Sequence, residues 1–104
     1  MKYGMTGTLK AKDGKGDELV SILLEASKLV SASKGIHLYA VCKDTLHVDI
    51  ISVFEVWDSK EDHDNSLKRQ AVKELISKAM PLIEGKPDGA VLDVIGGKGI
   101  DELG

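Results

Sequence analysis

The sequence predicts an α+β fold in which strands and helices follow the order β-α-β-β-α-β. Two segments, near residues 19–30 and 59–81, place apolar residues at helical spacing, and four shorter segments are rich in strand-forming residues. The second and third strands follow each other directly, which is typical of an antiparallel hairpin. This order is the ferredoxin-like arrangement, one antiparallel sheet with both helices on one face. A chain of 104 residues has room for one such domain, spanning residues 1–104.

The first strand and the first helix are marked by a change of periodicity. Residues 3–11 alternate as a strand does, although their glycines weaken the pattern. A turn follows, in which Asp13 or Asp17 is a candidate helix cap. The helix continues to about Ser33 on the spacing of Leu19, Ile22, Leu23, Ala26 and Val30. Gly35 suits the left-handed position that follows a helix C-terminus.

The hairpin contains the most apolar part of the chain. Its first strand is predicted at Ile36 to Lys43 and its second at His47 to Trp57. Alternation divides the second strand into Ile51, Val53, Glu55 and Trp57 on one face and Ile50, Ser52, Phe54 and Val56 on the other. Both faces are largely apolar, yet the helices cover only one. An uncovered apolar face is unusual in a monomer, so we expect a face-to-face homodimer.

The second helix begins with a recognisable cap. Ser59 and Asp62 have the S-x-x-D spacing of a capping box. One helix is then predicted through Leu67, Ala71, Leu75 and Ala79, ending at or bending near Pro81. A last strand is expected at residues 90–95, before a glycine-rich tail at about 96–104.

Composition argues against several classes of protein. The formal net charge is -3, and no basic stripe or set of stacking aromatic residues favours nucleic acid. No apolar run approaches the roughly 20 residues that span a membrane, and the N-terminus lacks a signal-peptide core. A single cysteine, Cys42, is typical of a reducing compartment. We therefore expect a cytoplasmic protein without a nucleic-acid or membrane partner.

An acidic segment surrounds a histidine directly after the third strand, in the order Glu61-Asp62-His63-Asp64. Successive helical residues point about 100° apart, so these four side chains do not converge on one metal ion. A metal would require His37 or His47 from the hairpin. The acids are better explained as the first turn of a helix, where the helix dipole favours negative charge.

His63 and Glu55 are the candidate catalytic pair. Glu55 is a charge within an apolar run and needs a partner if it is buried. Pairing with His63 or with a lysine would supply one. Two interpretations stay open: a structural ion pair at the sheet edge, or a base in an apolar pocket beside the indole of Trp57.

The chain resembles the antibiotic biosynthesis monooxygenase domain family, in particular its small quinol-monooxygenase-like members. The strongest match is FEVWDSKEDHDNSL at the junction of strand and helix; GMTGTLKAKDGKGDELVSILLEAS, IHLYAV, AMPLIEG and GGKGI are weaker matches. The resemblance implies a homodimer of the dimeric α/β-barrel type. It also implies oxidation of hydroquinones or polycyclic phenols with dioxygen, without a metal, flavin or haem cofactor.

The same resemblance implies roles for individual residues. His63 would act as base or hydrogen-bond partner, and Glu55 would orient it or form a subunit contact. Trp57 and Tyr39 would shape the wall of the substrate pocket. Asn65 and Ser66 would offer further polar contacts in the same pocket.

One departure from related proteins narrows the function. Haem-degrading proteins of this fold carry a tryptophan nine residues after the junction tryptophan and a histidine ten further on; here these positions are Ser66 and Ile76. Haem degradation is therefore disfavoured. Two alternatives to a monooxygenase stay open: a non-redox enzyme such as an isomerase, and a non-enzymatic dimer that binds a small ligand or acts in stress response.

Overall fold

A four-stranded antiparallel sheet carries three helices on one face in the computed structural model, which describes residues 1–100. The elements are β1 (Lys2–Lys10), α1 (Gly16–Val30), β2 (Ile36–Lys43), β3 (Ile50–Trp57), α2 (Lys60–Ser66), α3 (Gln70–Ala79), a 3-10 turn (Met80–Leu82) and β4 (Asp88–Val94). The strand order is β2-β3-β1-β4. The predicted ferredoxin-like fold is confirmed, and within residues 1–100 no helix is long and apolar enough to cross a membrane.

The core consists of two apolar clusters between the sheet and the helices. One contains Ala11, Leu19, Ile51 and Ala79, and the other contains Val30, Trp57 and Val72. Trp57, Leu19 and Ile51 are fully buried. The two clusters lie at opposite ends of the helix-covered face, which leaves the middle of that face for a cavity.

The second helix is broken, so the prediction of one continuous helix to Pro81 was wrong. α2 ends at Ser66, and α3 begins after Arg69, whose backbone is extended (φ -68°, ψ 134°). The Arg69 guanidinium donates to the Leu29 carbonyl at 2.7 Å and to Ser33 Oγ at 2.9 Å, which ties the break to the end of α1. The break leaves Leu67 42% exposed, while Ser66 is buried.

Two smaller predictions also need correction. The third strand begins at Ile50 rather than His47, because the Asp44 carboxylate accepts the backbone N–H groups of Leu46 and His47 and holds residues 44–47 in a turn. Neither Asp13 nor Asp17 caps α1, whose N-cap is Lys15 without a side-chain hydrogen bond.

Gly35 has a left-handed φ of 85°, as predicted, but it does not end α1 directly, since Ser31 is the C-cap. The Ser59 cap is confirmed: its Oγ accepts the Asp62 N–H at 3.2 Å. Residues 101–104 of the glycine-rich tail lie outside the described residues.

The face of the sheet opposite the helices carries several apolar side chains, and no helix or strand within residues 1–100 covers it. Alternation and register place Leu38, Ala40, Phe54, Leu92 and Val94 on this face, together with Val56, which is fully buried within the single chain. Leu92 is 44% exposed. The predicted two-faced character of β3 therefore holds for the sheet as a whole.

Candidate functional site

A cavity in two parts lies between the sheet and the helices. The inner part, about 100 Å³, is walled by α1, α3 and the sheet. The outer part, about 470 Å³, extends along β1 and β4. Leu23, Tyr39 and Glu55 line both parts, so the two meet at these side chains. The walls are mainly apolar, and such a cavity suits a small organic ligand held by a few polar groups.

Glu55 supplies a carboxylate at this junction. Alternation along β3 places it on the helix-covered face, between Val53 and Trp57. Its Oε1 accepts the indole N–H of Trp57 at 3.0 Å. Burial raises the pKa of Glu55, and the indole hydrogen bond and the nearby His63 charge oppose that rise. A carboxylate with a raised pKa in an apolar cavity is a suitable proton acceptor.

Tyr39 places a phenol beside this carboxylate. The two residues are directly paired across β2 and β3. Burial raises the pKa of Tyr39 well above its ordinary value, and the negative charge of Glu55 adds to the effect. The phenol therefore stays protonated at neutral pH and can donate a hydrogen bond to a ligand. A donor and an acceptor thus face the same cavity.

His63 lies behind the cavity wall instead of in it. Its side chain in α2 is buried and packs between two aromatic rings, with ring centroids 5.4 Å from Tyr3 and 5.7 Å from Trp57. Its Nδ1 is 3.0 Å from Asp64 Oδ1. The proposed direct Glu55–His63 pair is not formed: Trp57 is the hydrogen-bond donor to Glu55, and Trp57 also packs against the imidazole.

Of the three remaining predicted pocket residues, Ser66 lines the cavity, whereas Trp57 and Asn65 do not. Ser66 lines the inner cavity and donates from Oγ to the His63 carbonyl at 2.6 Å. Trp57 is fully buried and supports Glu55 from behind. Asn65 is exposed and lines a separate surface pocket of about 210 Å³, so the structure does not bring it together with Glu55 and Tyr39.

The acidic segment does not gather into a metal centre in the part of the chain that the structure describes, where no group of three or more His, Cys, Asp or Glu side chains could hold a metal. Lys60 pairs with Asp64 at 2.6 Å. His37, one of the two histidines that a metal site would have recruited, lies 2.5 Å from Asp58. The acids serve the helix start and local ion pairs.

Several residues that the sequence did not single out also belong to the site. Met5, Gly7 and Asp88 line the outer cavity, and Leu23 lines both parts. Met5 and Gly7 follow Tyr3 at every second position of β1, and they share the sheet face of Glu55 and Val53. Nothing in the sequence indicated that β4 would bring Asp88 to the mouth.

Comparison with known proteins adds the following similarities. The family model described as antibiotic biosynthesis monooxygenase matches residues 3–78. A candidate antibiotic biosynthesis monooxygenase from Chloroflexus aurantiacus J-10-fl is 35% identical, with 96% of this chain and 99% of that chain covered and a TM-score of 0.87. No match to a curated protein was found.

Two more distant structures share the fold. A candidate antibiotic biosynthesis monooxygenase from Caulobacter crescentus CB15 is 20% identical, with 91% of each chain covered and a TM-score of 0.84. SnoaB from Streptomyces nogalater, a cofactor-independent oxygenase, is 8% identical, with 93% of this chain and 96% of that chain covered and a TM-score of 0.81.

Proposed function

Because the chain belongs to the antibiotic biosynthesis monooxygenase family, we propose that it oxidises a quinol or another phenolic ring with dioxygen, without a cofactor. The observation that carries the proposal is the pairing of Glu55 and Tyr39 in one largely apolar cavity. The description of SnoaB as a cofactor-independent oxygenase supports the same chemistry on this fold.

The reaction requires little from the protein beyond binding and proton transfer. Dioxygen is a triplet and reacts slowly with closed-shell organic molecules, whereas a deprotonated hydroquinone readily gives up an electron. One hydroquinone and one dioxygen then give one hydroxyquinone and one water. The ring supplies four electrons, one oxygen atom enters the ring, and the other leaves as water together with two hydrogens from the hydroquinone. An apolar cavity also keeps bulk water from the intermediates.

Glu55 is the proposed proton acceptor, in place of His63. A general base must lie within hydrogen-bond reach of the proton that it removes, and Glu55 lines both parts of the cavity while His63 lines neither. Tyr39 would donate a hydrogen bond to a second oxygen of the substrate. His63, which lies close enough to lower the pKa of Glu55, would favour the ionised carboxylate.

The charge of the cavity favours an uncharged substrate. Among the described residues that line the outer part, Glu55 and Asp88 are acidic and none is basic. A ring that carries a carboxylate would meet like charges in a poorly solvated space, which is costly. We propose a neutral phenol or hydroquinone as the substrate class.

The proposed assembly is a cytoplasmic homodimer. The apolar sheet face, formed by Leu38, Ala40, Phe54, Leu92 and Val94, would be covered by the same face of a second copy. Association buries apolar area that a monomer would leave in water. Most side chains that line the cavity, Glu55 and Tyr39 among them, lie on the other face of the sheet, so dimerisation would leave them within one chain.

Oxygen uptake tests the proposal. Metal-stripped protein is mixed with a panel of hydroquinones, and uptake is compared with autoxidation, with Glu55→Gln and with His63→Ala. Uptake above autoxidation that depends on Glu55 supports the proposal. Absence of uptake with every ring, from a folded protein, favours a non-redox enzyme that uses the same base or a protein that only binds its ligand.

A further inference from the structure

The backbone conformation at position 7 does not require a glycine. It lies in the interior of β1, and its φ is not among the positive values found for other glycines of this chain. Glycine in the interior of a strand weakens it, because the unfolded chain gains more freedom there. Among the described residues, a Cβ atom at this position would meet only the Asp88 carbonyl oxygen, at 3.9 Å, which is ordinary contact.

Two other glycines of the sheet differ in this respect. A Cβ atom on Gly4 would lie 2.7 Å from Val94 Cγ2, and a Cβ atom on Gly89 would collide with the Thr6 carbonyl oxygen. Close packing therefore accounts for Gly4 and Gly89. It does not account for Gly7.

A side chain at position 7 would enter the outer cavity. Gly7 shares its sheet face with Met5 and Leu9, and it is paired with Val53 on one side and Gly89 on the other. All five residues line the outer cavity. The facing pair Gly7 and Gly89 exposes sheet backbone without side chains, so this part of the cavity floor is flat.

We propose that Gly7 determines the size of the ring system that the cavity accepts. Its missing side chain leaves room for a planar ring against the backbone of β1 and β4, next to Glu55 and Tyr39. The inference rests on the proposed function in one respect: it concerns the ligand of the same cavity. The test measures ligand binding, which can be detected whether or not the protein turns over a substrate.

The test compares a two-ring and a one-ring probe, 1-naphthol and 4-ethylphenol, by isothermal titration calorimetry. The full chain is used as wild type, Gly7→Ala, Gly7→Leu and the control Thr8→Leu, in which the added bulk lies on the opposite face of the same strand. Gly7→Leu should weaken 1-naphthol binding at least tenfold and 4-ethylphenol binding less than threefold. Gly7→Ala should give an intermediate loss, and Thr8→Leu should leave the ratio unchanged.

Stability provides an independent readout. Gly7→Ala should raise the melting temperature by about 2–8 °C, because alanine restricts the unfolded chain and fits the native backbone. A purely structural glycine would instead lose stability on the same change. Gly7→Ala also keeps the test valid if Gly7→Leu does not fold.

Three results would overturn the inference: equal loss of both probes, unchanged affinity for 1-naphthol in folded Gly7 variants, and no binding of either probe to the wild type. Failure of the proposed function looks different. Oxygen uptake would then be absent while the ring-size pattern persists. If uptake occurs but Gly7→Leu oxidises two-ring and one-ring hydroquinones at the wild-type ratio, the proposed function is supported and the proposed role of Gly7 is contradicted.

Discussion

At the scale of single residues, the proposed reaction depends on one half-buried carboxylate, that of Glu55. Glu55→Gln retains an oxygen that can accept the Trp57 indole N–H, but it removes the ionisable group. Oxygen uptake with a hydroquinone should fall about 10²–10⁴-fold, the range expected for loss of a general base. Tyr3→Phe, a change outside the cavity lining, serves as the control. Uptake that persists in Glu55→Gln would exclude this carboxylate as the base.

The pH dependence of activity and of stability should respond to Glu55 in opposite directions. Its folded-state pKa lies above its ordinary value of 4.5 because burial disfavours the charged form. Activity should therefore rise with pH through the raised pKa as the base ionises. The folded protein binds more protons than the unfolded chain between the two pKa values, so stability should fall as pH rises through the same window.

Glu55→Gln removes both dependences. The variant should be more stable than the wild type at pH 7, and the difference should vanish below about pH 4.5, where the carboxyl group is protonated in both folded and unfolded chains. Urea unfolding at a series of pH values measures the difference. A variant that is less stable at pH 7 would show that the carboxylate charge stabilises the fold.

Tyr39 should contribute affinity instead of proton transfer. Tyr39→Phe keeps the ring that lines both parts of the cavity and removes the hydroxyl donor. Loss of one neutral hydrogen bond is worth about 0.5–1.5 kcal/mol, so a phenolic ligand should bind roughly 2–12-fold more weakly. Calorimetry with 1-naphthol checks this value, with Tyr3→Phe as the matched control. Equal losses in both variants would argue against a hydrogen bond from Tyr39.

His63 should behave chiefly as a packing residue. Its imidazole fills the space between Tyr3 and Trp57, so His63→Ala should destabilise the fold by about 1–3 kcal/mol. His63→Phe, which refills this space with a ring, should recover part of the loss. Urea unfolding and oxygen uptake are measured on both variants. Full stability of His63→Ala together with complete loss of uptake would return the role of base to His63.

At the scale of elements, the break between α2 and α3 is held by Arg69. Arg69→Gln should cost about 1–3 kcal/mol, because the guanidinium donates to a backbone carbonyl of α1 and to Ser33. Lys68→Gln is the control, since Lys68 is exposed and its contact with Asn65 is long, 3.4 Å. Equal unfolding free energies for the two variants would show that Arg69 does not hold the break.

At the scale of the whole molecule, the apolar sheet face predicts a dimer. Phe54→Glu places a charge in the middle of this face, so the variant should sediment as a monomer where the wild type sediments as a dimer. Ile76→Glu is the control, because Ile76 is an apolar residue on α3, away from this sheet face, and is 43% exposed. A wild-type monomer, or loss of the dimer in Ile76→Glu alone, would contradict a sheet-to-sheet interface.

The sequence by itself determined the order of the strands, the presence of α1 and the alternation along β1 and β3. It did not reveal the bulge between Ile36 and Leu38 in β2 or the break between α2 and α3. Periodicity of about 3.6 and 2 is a local property, so it identified α1, the hairpin and the Ser59 cap, and it placed Glu55 on the same face as Trp57. The junction sequence also sufficed to indicate the family. These features depend on neighbours within a few residues along the chain.

Only the tertiary structure decided which groups meet. The helix break at Arg69 depends on acceptors at Leu29 and Ser33, about 40 residues away, which no local pattern reveals. The partner of Glu55 is the indole of Trp57, while His63 lies behind it against Asp64. Strand register and helix packing set these distances. Long-range packing therefore determines which residues line the cavity. The local sequence determines only the alternation of side chains along the strands that contribute them.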